Sequence, residues 1–285
     1  MTTNMNNIKS LIRLALSEDI GPGDATSEAI IPKGLVWRAR VIAKEDMILA
    51  GGHIATAVFK TVDKKIAVKL LKKDGARLKK GAVIMTARGP ARSLLAAERT
   101  ALNFLQRLSG IATLTGRFVS LTKGSGIKIL DTRKTTPGLR LPEKYAVHCG
   151  GGTNHRMGLY DMYLIKNNHV DIAGSVTEAV LAVRSKNRSG LLIEVEVRNF
   201  RELEEAVISG ADTVMLDNFG PKMAQKAVKI VQKLSKTIKF RPKIEISGGI
   251  SLKNIKKHAK TGADFISVGA LTHSAIAVDI CMRVK

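Results

Sequence analysis

Lysine, arginine and histidine side chains are concentrated in one stretch, residues 129–170, where they follow short apolar runs. They are Arg133, Lys134, Arg140, Lys144, His148, His155, Arg156, Lys166 and His169. Three consecutive glycines, Gly150 to Gly152, lie among them and leave the backbone open to close approach. Cationic side chains beside accessible backbone N–H groups are typical of anion-binding sites. The alternative is a solvated basic loop, but the position of these residues after apolar runs favours an anion site.

Carboxylates are arranged in a similar way further along the chain. In residues 191–197, period-two alternation places Glu194 and Glu196 on one face of a predicted strand and aliphatic residues on the other. Asp217 ends the next apolar run. Buried carboxylates are costly unless cations or a metal compensate them. The cations available for this are Arg133, Lys134 and Lys166. The sequence thus predicts inward-facing acids in a binding site, and the alternative is a purely structural ion-pair network.

Glycine follows the last two apolar runs. Ser247, Gly248 and Gly249 come after one run, and Gly269 comes after the other. Backbone N–H groups exposed at such turns bind phosphate, and barrels frequently bind phosphate after their final two strands. We therefore predict a phosphate site here. The alternative is a pair of tight turns, which any barrel requires.

The elements that carry these residues alternate between strand and helix. Six strand-like runs lie at 127–131, 162–166, 191–197, 212–217, 243–247 and 264–268. A turn and a plausible helix follow each of the first five, which indicates βαβ units and a parallel sheet. An open sheet would bring together only the residues near a switch point, whereas a barrel collects all its strand ends at one mouth. The polar residues at every strand end therefore favour a barrel with fewer strands than the usual eight.

The N-terminal part has a different pattern. We predict a short helix over residues 8–16 that stops at an acidic, glycine-rich turn, followed by strands near 35–44, 65–71 and 82–88 and a helix over 51–62. A strongly helical stretch starts after Pro90, and Gly110 and Gly116 are predicted to interrupt it. Arg99 and Arg107 lie on this stretch and, on their own, are typical of surface arginines.

Charge is the most unusual bulk property of the 285-residue chain. Forty-seven lysines and arginines against 24 acidic residues give a formal net charge of +23, which favours anionic partners. Only eleven residues are aromatic, and no basic tail or aromatic-basic stacking motif is found, so a nucleic-acid partner is not expected. Much of the excess lies on predicted helix faces, where it could simply aid solubility.

Several classes of protein are disfavoured by missing patterns. The chain has no GxSxG, Walker or dinucleotide motif, which disfavours hydrolases, nucleotide triphosphatases and dehydrogenases. His155 and His169 lack a second histidine or cysteine at helical spacing, and Arg156 would repel a cation, so a tightly held transition metal is not expected. Cys149 and Cys281 predict free thiols, and no signal peptide or membrane span is recognisable. The sequence therefore predicts a soluble cytoplasmic protein.

Four motifs in this order and spacing closely resemble the quinolinate phosphoribosyltransferases of NAD synthesis: DTRKTTPGLR, EKYAV, CGGGTNHRMGL and LIKNNHV. The EDIGPGDAT and ERTALNFLQRLSGIAT segments extend the resemblance over nearly the whole chain. It implies a small N-terminal α/β sandwich and a six-stranded, incomplete TIM-like α/β barrel, working as a homodimer or higher oligomer. We place the sandwich with its linking helix at 1–110 and the barrel at 111–270, and expect 271–285 to pack back on the sandwich.

The same resemblance implies roles for individual residues. Quinolinate would be held by Arg99 from the partner subunit and by Arg133, His155, Arg156 and Lys166. The catalytic residues would be Lys134, Lys166, Glu196 and Asp217, the last two near ribose hydroxyls or a Mg²⁺ that accompanies pyrophosphate. The phosphoribosyl group would be held by Lys134, Ser247, Gly248, Gly249, Gly269 and His273.

Two alternatives stay open at this level. The first is a related barrel phosphoribosyltransferase that acts on another aromatic acid. The second is a non-catalytic nucleic-acid-binding protein that uses the +23 charge.

Overall fold

The computed structural model describes residues 5–284, so the outermost ends of the predicted domain ranges lie outside the described residues. Its helices are α1 (Met5–Ile20), α2 (Ala25–Ile30), α3 (Gly52–Val62), α4 (Ala91–Leu121), α5 (Arg140–Cys149), α6 (Asn167–Ala173), α7 (Val176–Lys186), α8 (Phe200–Ile208), α9 (Pro221–Ile238), α10 (Ile255–His258) and α11 (Ala270–His273). Its strands are β1 (Val36–Ala43), β2 (Met47–Ile48), β3 (Ala67–Leu70), β4 (Arg77–Leu78), β5 (Val83–Pro90), β6 (Lys128–Leu130), β7 (Tyr163–Ile165), β8 (Ile193–Val197), β9 (Thr213–Asp217), β10 (Lys243–Ser247), β11 (Phe265–Ser267) and β12 (Ile280–Val284).

The chain forms two compact units, and neither is one continuous segment. The first unit comprises residues up to Gly116 together with Thr135–Gly151 and the stretch from Leu271 onward. The second comprises Arg117–Lys134 and Gly152–Ala270. Each unit has its own sheet and core.

A four-stranded antiparallel sheet with the order β12-β1-β5-β3 forms the first unit's main layer. Alternation along β1 explains its two faces, because Ala39, Val41 and Ala43 are buried while Arg38 and Arg40 are exposed. The C-terminal strand β12 completes one edge by pairing with β1. Helix α1 contacts α3 and buries aliphatic residues at helical spacing. This helix continues to Ile20, so its predicted end at residue 16 was too early, and it stops within the acidic, glycine-rich turn.

Helix α4 is one continuous helix of 31 residues, and the predicted interruption at Gly110 and Gly116 was wrong. A Cβ on Gly110 would lie within 3.0 Å of the Ile276 carbonyl oxygen, and a Cβ on Gly116 would meet the Ile48 side chain as closely. Glycine therefore serves close packing at these two positions. The propensity cost of about 1 kcal/mol per glycine is offset by the surrounding contacts.

The second unit is built on a six-stranded sheet with the order β6-β11-β10-β9-β8-β7, and every adjacent pair is parallel. The predicted fold class is therefore confirmed: a small sheet domain and a six-stranded parallel α/β domain. Within the described residues, β6 and β7 at the two ends of the order do not pair with each other. The barrel is thus incomplete in its hydrogen bonding.

The segment 153–156 lies along the free edge of β6. The Thr153 N–H donates to the Ile129 carbonyl at 2.8 Å, and the Asp131 N–H donates to the Thr153 carbonyl at 3.2 Å, as in a short parallel pairing. Arg156 Nη1 donates to the carbonyl of Met162, directly before β7, at 3.1 Å. We call residues 153–156 the seam segment, because they lie between the two strands that leave the barrel open.

Neither unit has a helix that could cross a bilayer: among the described residues none is both long enough and apolar enough. Both cysteines are free thiols, as predicted.

Candidate active site

Three polar residues end neighbouring strands of the parallel sheet. Asp217 on β9 is in register with Ser247 on β10, and Glu196 lies near the end of the adjacent strand β8. All three are partly exposed, in contrast to the buried aliphatic residues beside them. Burial, and then the negative charge of Asp217, raise the pKa of Glu196 above its ordinary value. The two carboxylates therefore lie close enough to repel each other, as expected of strand ends that share one mouth.

A lysine lies beside these acids at the start of α6. Lys166 follows β7 and is exposed, and its backbone N–H donates to Nδ1 of His169 at 2.9 Å, which fixes the first turn. The positive charge of Lys166, and then that of Arg198, oppose the rise in the pKa of Glu196. Lys166, Glu196 and Asp217 thus form one electrostatic cluster.

A second cationic group follows β6. The Lys134 N–H donates to the Thr132 hydroxyl at 3.1 Å, and Lys134 itself is exposed. Burial, and then the positive charge of Arg133, lower the pKa of Arg156, so the two guanidinium groups lie near each other. Two neighbouring arginines can receive a carboxylate or phosphate by paired hydrogen bonds.

The inner face of the sheet contains a triad that joins distant strands. His155 Nε2 lies 2.9 Å from Oε2 of Glu194 on β8 and 3.5 Å from Oε2 of Glu245 on β10. His155 is beside β6, four strand positions from β8 in the sheet order. In a flat sheet that separation would be about 19 Å, since neighbouring strands lie ~4.8 Å apart. The contact therefore requires the sheet to curl into a barrel.

His155 has a defined tautomer in this triad. Its Nδ1 accepts a hydrogen bond from the Arg156 N–H at 2.8 Å, so Nδ1 has the lone pair and Nε2 bears the proton. The backbone N–H of His155 in turn donates to Oδ1 of buried Asp131 at 2.9 Å, and Oδ2 of Asp131 accepts from Asn154 at 2.6 Å. The seam segment is therefore fixed on both sides of the histidine.

Potential ligand atoms of His155, Glu194 and Glu245 lie within 4.8 Å of one another, a spacing that could surround a metal ion. The tautomer opposes this, because a metal at Nε2 would need the lone pair there, and the nearby Arg156 charge adds repulsion. Burial raises the pKa of Glu194 to about 7, and burial together with the charge of Glu194 raises the pKa of Glu245 to about 8. We interpret the triad as a hydrogen-bonded network that contains protonated carboxyl groups.

The backbone of the turn after β10 explains why glycine occupies positions 248 and 249. Gly248 and Gly249 have φ values of 98° and 62°, in the left-handed region that favours glycine. A Cβ on Gly248 would lie within 3.0 Å of the Asn218 amide oxygen in the turn after β9. Asn218 is held there, because its N–H donates to the Ser247 carbonyl at 2.8 Å. The two strand-end turns are thus packed against each other with their backbones accessible.

Comparison with known proteins gives matches along most of the chain. The family profile "Quinolinate phosphoribosyl transferase, N-terminal domain" matches residues 24–109, and the corresponding C-terminal domain profile matches residues 111–283.

The chain belongs to the quinolinate phosphoribosyltransferase family. A Bacillus subtilis protein named probable nicotinate-nucleotide pyrophosphorylase [carboxylating] is 44% identical over 281 residues, which cover 99% of this chain and 94% of the relative. The solved nicotinate-nucleotide pyrophosphorylase of Francisella tularensis is 43% identical with a TM-score of 0.92, covering 98% of this chain and 96% of that one. NadC from Streptococcus pyogenes is 38% identical with a TM-score of 0.93, covering 100% and 99%. The family resemblance seen in the motifs is thereby confirmed.

Of the residues to which the family resemblance gives roles, all but Arg99 and His273 belong to the second unit. Arg99 is exposed on α4, and Nδ1 of His273 lies 2.6 Å from the Ser274 hydroxyl, both in the first unit. The charge interactions of Lys166, Glu196 and Asp217 agree with one cluster, and those of Arg133 and Arg156 with a second. Their roles toward substrates stay predictions.

Two buried residues of the site were missed by the interpretation of the sequence. Glu245 alternates with Ile244 and Ile246 as Glu194 does with its neighbours, so the same strand rule would have found it. Asp131 lies directly before the basic loop and is fully buried, but nothing in its local sequence shows which N–H groups it accepts from.

Arg107 was interpreted from the sequence as a surface arginine, and this was wrong. Its guanidinium donates to Oε1 of the fully buried Glu143 at 2.9 Å and to the Thr136 hydroxyl at 3.3 Å. It also donates to the carbonyls of Thr272 and Ala275. Arg107 therefore connects α4 with the 135–143 segment and with the C-terminal segment of the first unit.

Proposed function

We propose that this chain is a quinolinate phosphoribosyltransferase that converts quinolinate and phosphoribosyl pyrophosphate into nicotinate mononucleotide, pyrophosphate and CO₂ in de novo NAD synthesis. The observation that carries this proposal is the family match over both domains, at 44% identity to a relative with that activity in its name. The clustered cations and acids at the strand ends supply the chemistry that two anionic substrates require.

Quinolinate has two ring carboxylates, and it needs several fixed donors. We assign these to Arg133, Arg156 and Lys166 and to the partner's Arg99, as the family resemblance implies. His155, which the resemblance also names, has both ring nitrogens engaged by Arg156 and Glu194 and would act through the position of Arg156. Burial, and then the charge of Arg133, lower the pKa of Arg156, and a bound dianion would relieve the repulsion between the two arginines. This charge balance supports a dicarboxylate over a substrate with a single carboxylate.

Phosphoribosyl pyrophosphate would occupy the neighbouring strand ends. Its 5′-phosphate would lie at the accessible backbone of Ser247, Gly248 and Gly249, with Gly269 and His273 completing the site, and Lys134 would contact its phosphates. Glu196 and Asp217 would accept hydrogen bonds from the ribose hydroxyls. These are the positions at which barrels commonly bind phosphate.

Carboxylate oxygens are the ligands that Mg²⁺ prefers, and Glu196 and Asp217 offer two that repel each other, so this pair fits the ion. Mg²⁺ bound with the substrate would neutralise charge on the departing pyrophosphate.

The reaction itself requires no protein nucleophile. The bond between ribose C1 and pyrophosphate breaks as the pyridine nitrogen of quinolinate forms its bond to C1. The ring nitrogen is then quaternary, so the adjacent carboxylate can leave as CO₂ while its bonding electrons stay on the ring carbon, which afterwards takes a proton. The role of Lys134 and Lys166 is to stabilise negative charge on the leaving pyrophosphate and to orient the two substrates.

A direct assay tests this function. The purified protein is incubated with phosphoribosyl pyrophosphate, Mg²⁺ and either quinolinate or nicotinate, and nicotinate mononucleotide and CO₂ are measured. We expect one CO₂ for each mononucleotide formed from quinolinate. Turnover of nicotinate without turnover of quinolinate would overturn the substrate assignment and favour a related phosphoribosyltransferase. The comparisons give no support to a non-catalytic nucleic-acid-binding protein.

We further propose that the active enzyme is a homodimer or higher oligomer in the cytoplasm, with Arg99 contributed across the subunit interface. The exposure of Arg99 on α4 is compatible with a contact to another chain.

A further inference from the structure

The buried acids Glu194 and Glu245 have no part in the substrate contacts assigned above. Each is 1% exposed, deeper in the barrel than the partly exposed Glu196 at the mouth. Their Oε1 atoms accept no hydrogen bond from any residue that the structure describes. Both Oε2 atoms point to the same Nε2 of His155. Two acids on different strands are therefore directed to one imidazole.

That imidazole is tied to the backbone of the seam segment. Its Nδ1 accepts the N–H of Arg156 at 2.8 Å, and the His155 N–H is bound by Asp131 at 2.9 Å. The seam segment pairs with β6 through Thr153 and contacts Met162 through the Arg156 side chain. The His155 ring therefore connects this segment, within the second unit, to the strands β8 and β10 across the barrel.

We propose that Glu194 and Glu245 are positioning residues, which orient the His155 ring from across the barrel and thereby fix the backbone and guanidinium of Arg156 for one carboxylate of the substrate. This rests on the proposed function for the identity of the substrate. The geometry alone requires an acceptor at Nε2, because Nδ1 of the imidazole is occupied by a backbone N–H. The two acids supply that acceptor.

Two variants of Glu194 distinguish the role of its hydrogen-bond acceptor from the role of its charge. Glu194→Leu removes the acceptor nearest to Nε2 and keeps an apolar side chain of similar size, whereas Glu194→Gln retains an oxygen that can accept from the ring. We expect E194L to raise the KM for quinolinate by about tenfold or more, since small misplacements of binding groups have effects of this size. The KM for phosphoribosyl pyrophosphate should change little, and E194Q should stay close to the wild type.

A second readout requires no turnover. Nitrogen NMR of the ¹⁵N-histidine-labelled protein reports which ring nitrogen of His155 bears the proton, with His155→Asn used to assign the signal. We expect Nε2–H in the wild type and in E194Q, and a change of tautomer or a mobile ring in E194L. If E194L does not fold, Glu194→Thr replaces it, because its hydroxyl is too short to reach the ring.

Both the kinetic and the NMR measurement have results that would overturn the positioning role. A folded E194L or E194T with an unchanged quinolinate KM overturns the positioning role, and so does an E194Q variant as impaired as E194L. An Nδ1–H tautomer in the wild type overturns the geometry on which the role depends. If quinolinate is not turned over at all while the tautomer responds as expected, the proposed function fails and the hydrogen-bonding network stands.

Discussion

At the scale of single residues, position along one strand decides what a carboxylate can do. Glu194 and Glu196 lie on the same face of β8, two residues apart. Glu194 is 1% exposed and contacts a neutral imidazole, whereas Glu196 is partly exposed and lies among the charges of Asp217 and Lys166. Depth in the barrel therefore separates a structural acid from one that can meet a substrate.

The exposed Lys134 provides the first test at this scale. We expect Lys134→Ala to lower kcat at least about a hundredfold, because it removes a cation that stabilises charge developing on the leaving group. Thermal unfolding should be unchanged, since the Lys134 side chain is exposed. Lys229→Ala, at an exposed position of α9, is the matched control and should retain full activity. Near-normal turnover by K134A would remove the assigned role.

The pKa of Glu245 provides a second test. Burial, and then the charge of Glu194, raise this pKa to about 8, so the folded state keeps a proton that the unfolded chain releases at lower pH. The contribution to stability is full below the ordinary glutamate pKa of about 4.3, and it declines by roughly 1.4 kcal/mol per pH unit as the pH rises toward the pKa of the folded state. Glu245→Gln should flatten this decline in denaturant unfolding measured from pH 5 to pH 8. An unchanged slope would contradict the assignment.

Sequence alone located most charged groups of the site, because a charged residue after an apolar run is visible without coordinates. It could not show which groups meet, since the contact of His155 with Glu194 depends on the curl of the sheet over four strand positions. Asp131 and Arg107 illustrate the same limit. Their partners include main-chain groups and a buried acid that are distant in sequence, and no local pattern indicates these contacts.

At the scale of elements, helix α4 shows how packing overrides propensity. Its glycines are typical of helix breaks, and the sequence-based prediction divided one helix into two. The structure places a carbonyl oxygen and an isoleucine side chain where their Cβ atoms would lie. The existence of the helix was therefore predictable from periodicity, but the reason for glycine inside it was not.

This difference between the two glycines can be measured. Gly110→Ala should lower the free energy of unfolding by roughly 1–3 kcal/mol despite the higher helix propensity of alanine, because the new Cβ meets the rigid backbone at Ile276. Gly116→Ala is the comparison, since its Cβ meets the flexible end of the Ile48 side chain. We expect a smaller loss there. Denaturant unfolding of both variants measures the two losses of stability. Equal stabilisation by both substitutions would contradict the prediction.

At the scale of the whole molecule, the charge of +23 exceeds what two anionic substrates require. Exposed lysines on α9 and in the 253–260 segment contribute much of it. No contact of the described residues explains this surplus. It is compatible with attraction of small anions to the protein, a property that depends on ionic strength.

Assembly is the property to test at this scale. Arg99→Ala and Lys166→Ala proteins should each be inactive, and mixing them under conditions that exchange subunits should restore activity. In a statistical mixture of dimers about a quarter of the sites would combine an intact Arg99 from one chain with an intact Lys166 from the other. Rates measured before and after exchange check this. No recovery in a mixture that has exchanged would exclude sharing of Arg99.

The seam segment has a consequence for how this barrel could change its substrate. A binding group placed on a regular strand cannot be shifted without disturbing the register of both neighbours. Arg156 instead lies on a short stretch between two strand edges that do not bond to each other in the described part of the chain. Insertions or exchanges within residues 153–156 would therefore alter ligand preference while leaving all five strand pairings intact. Engineering of the range of aromatic acids that the protein binds should therefore begin at residues 153–156.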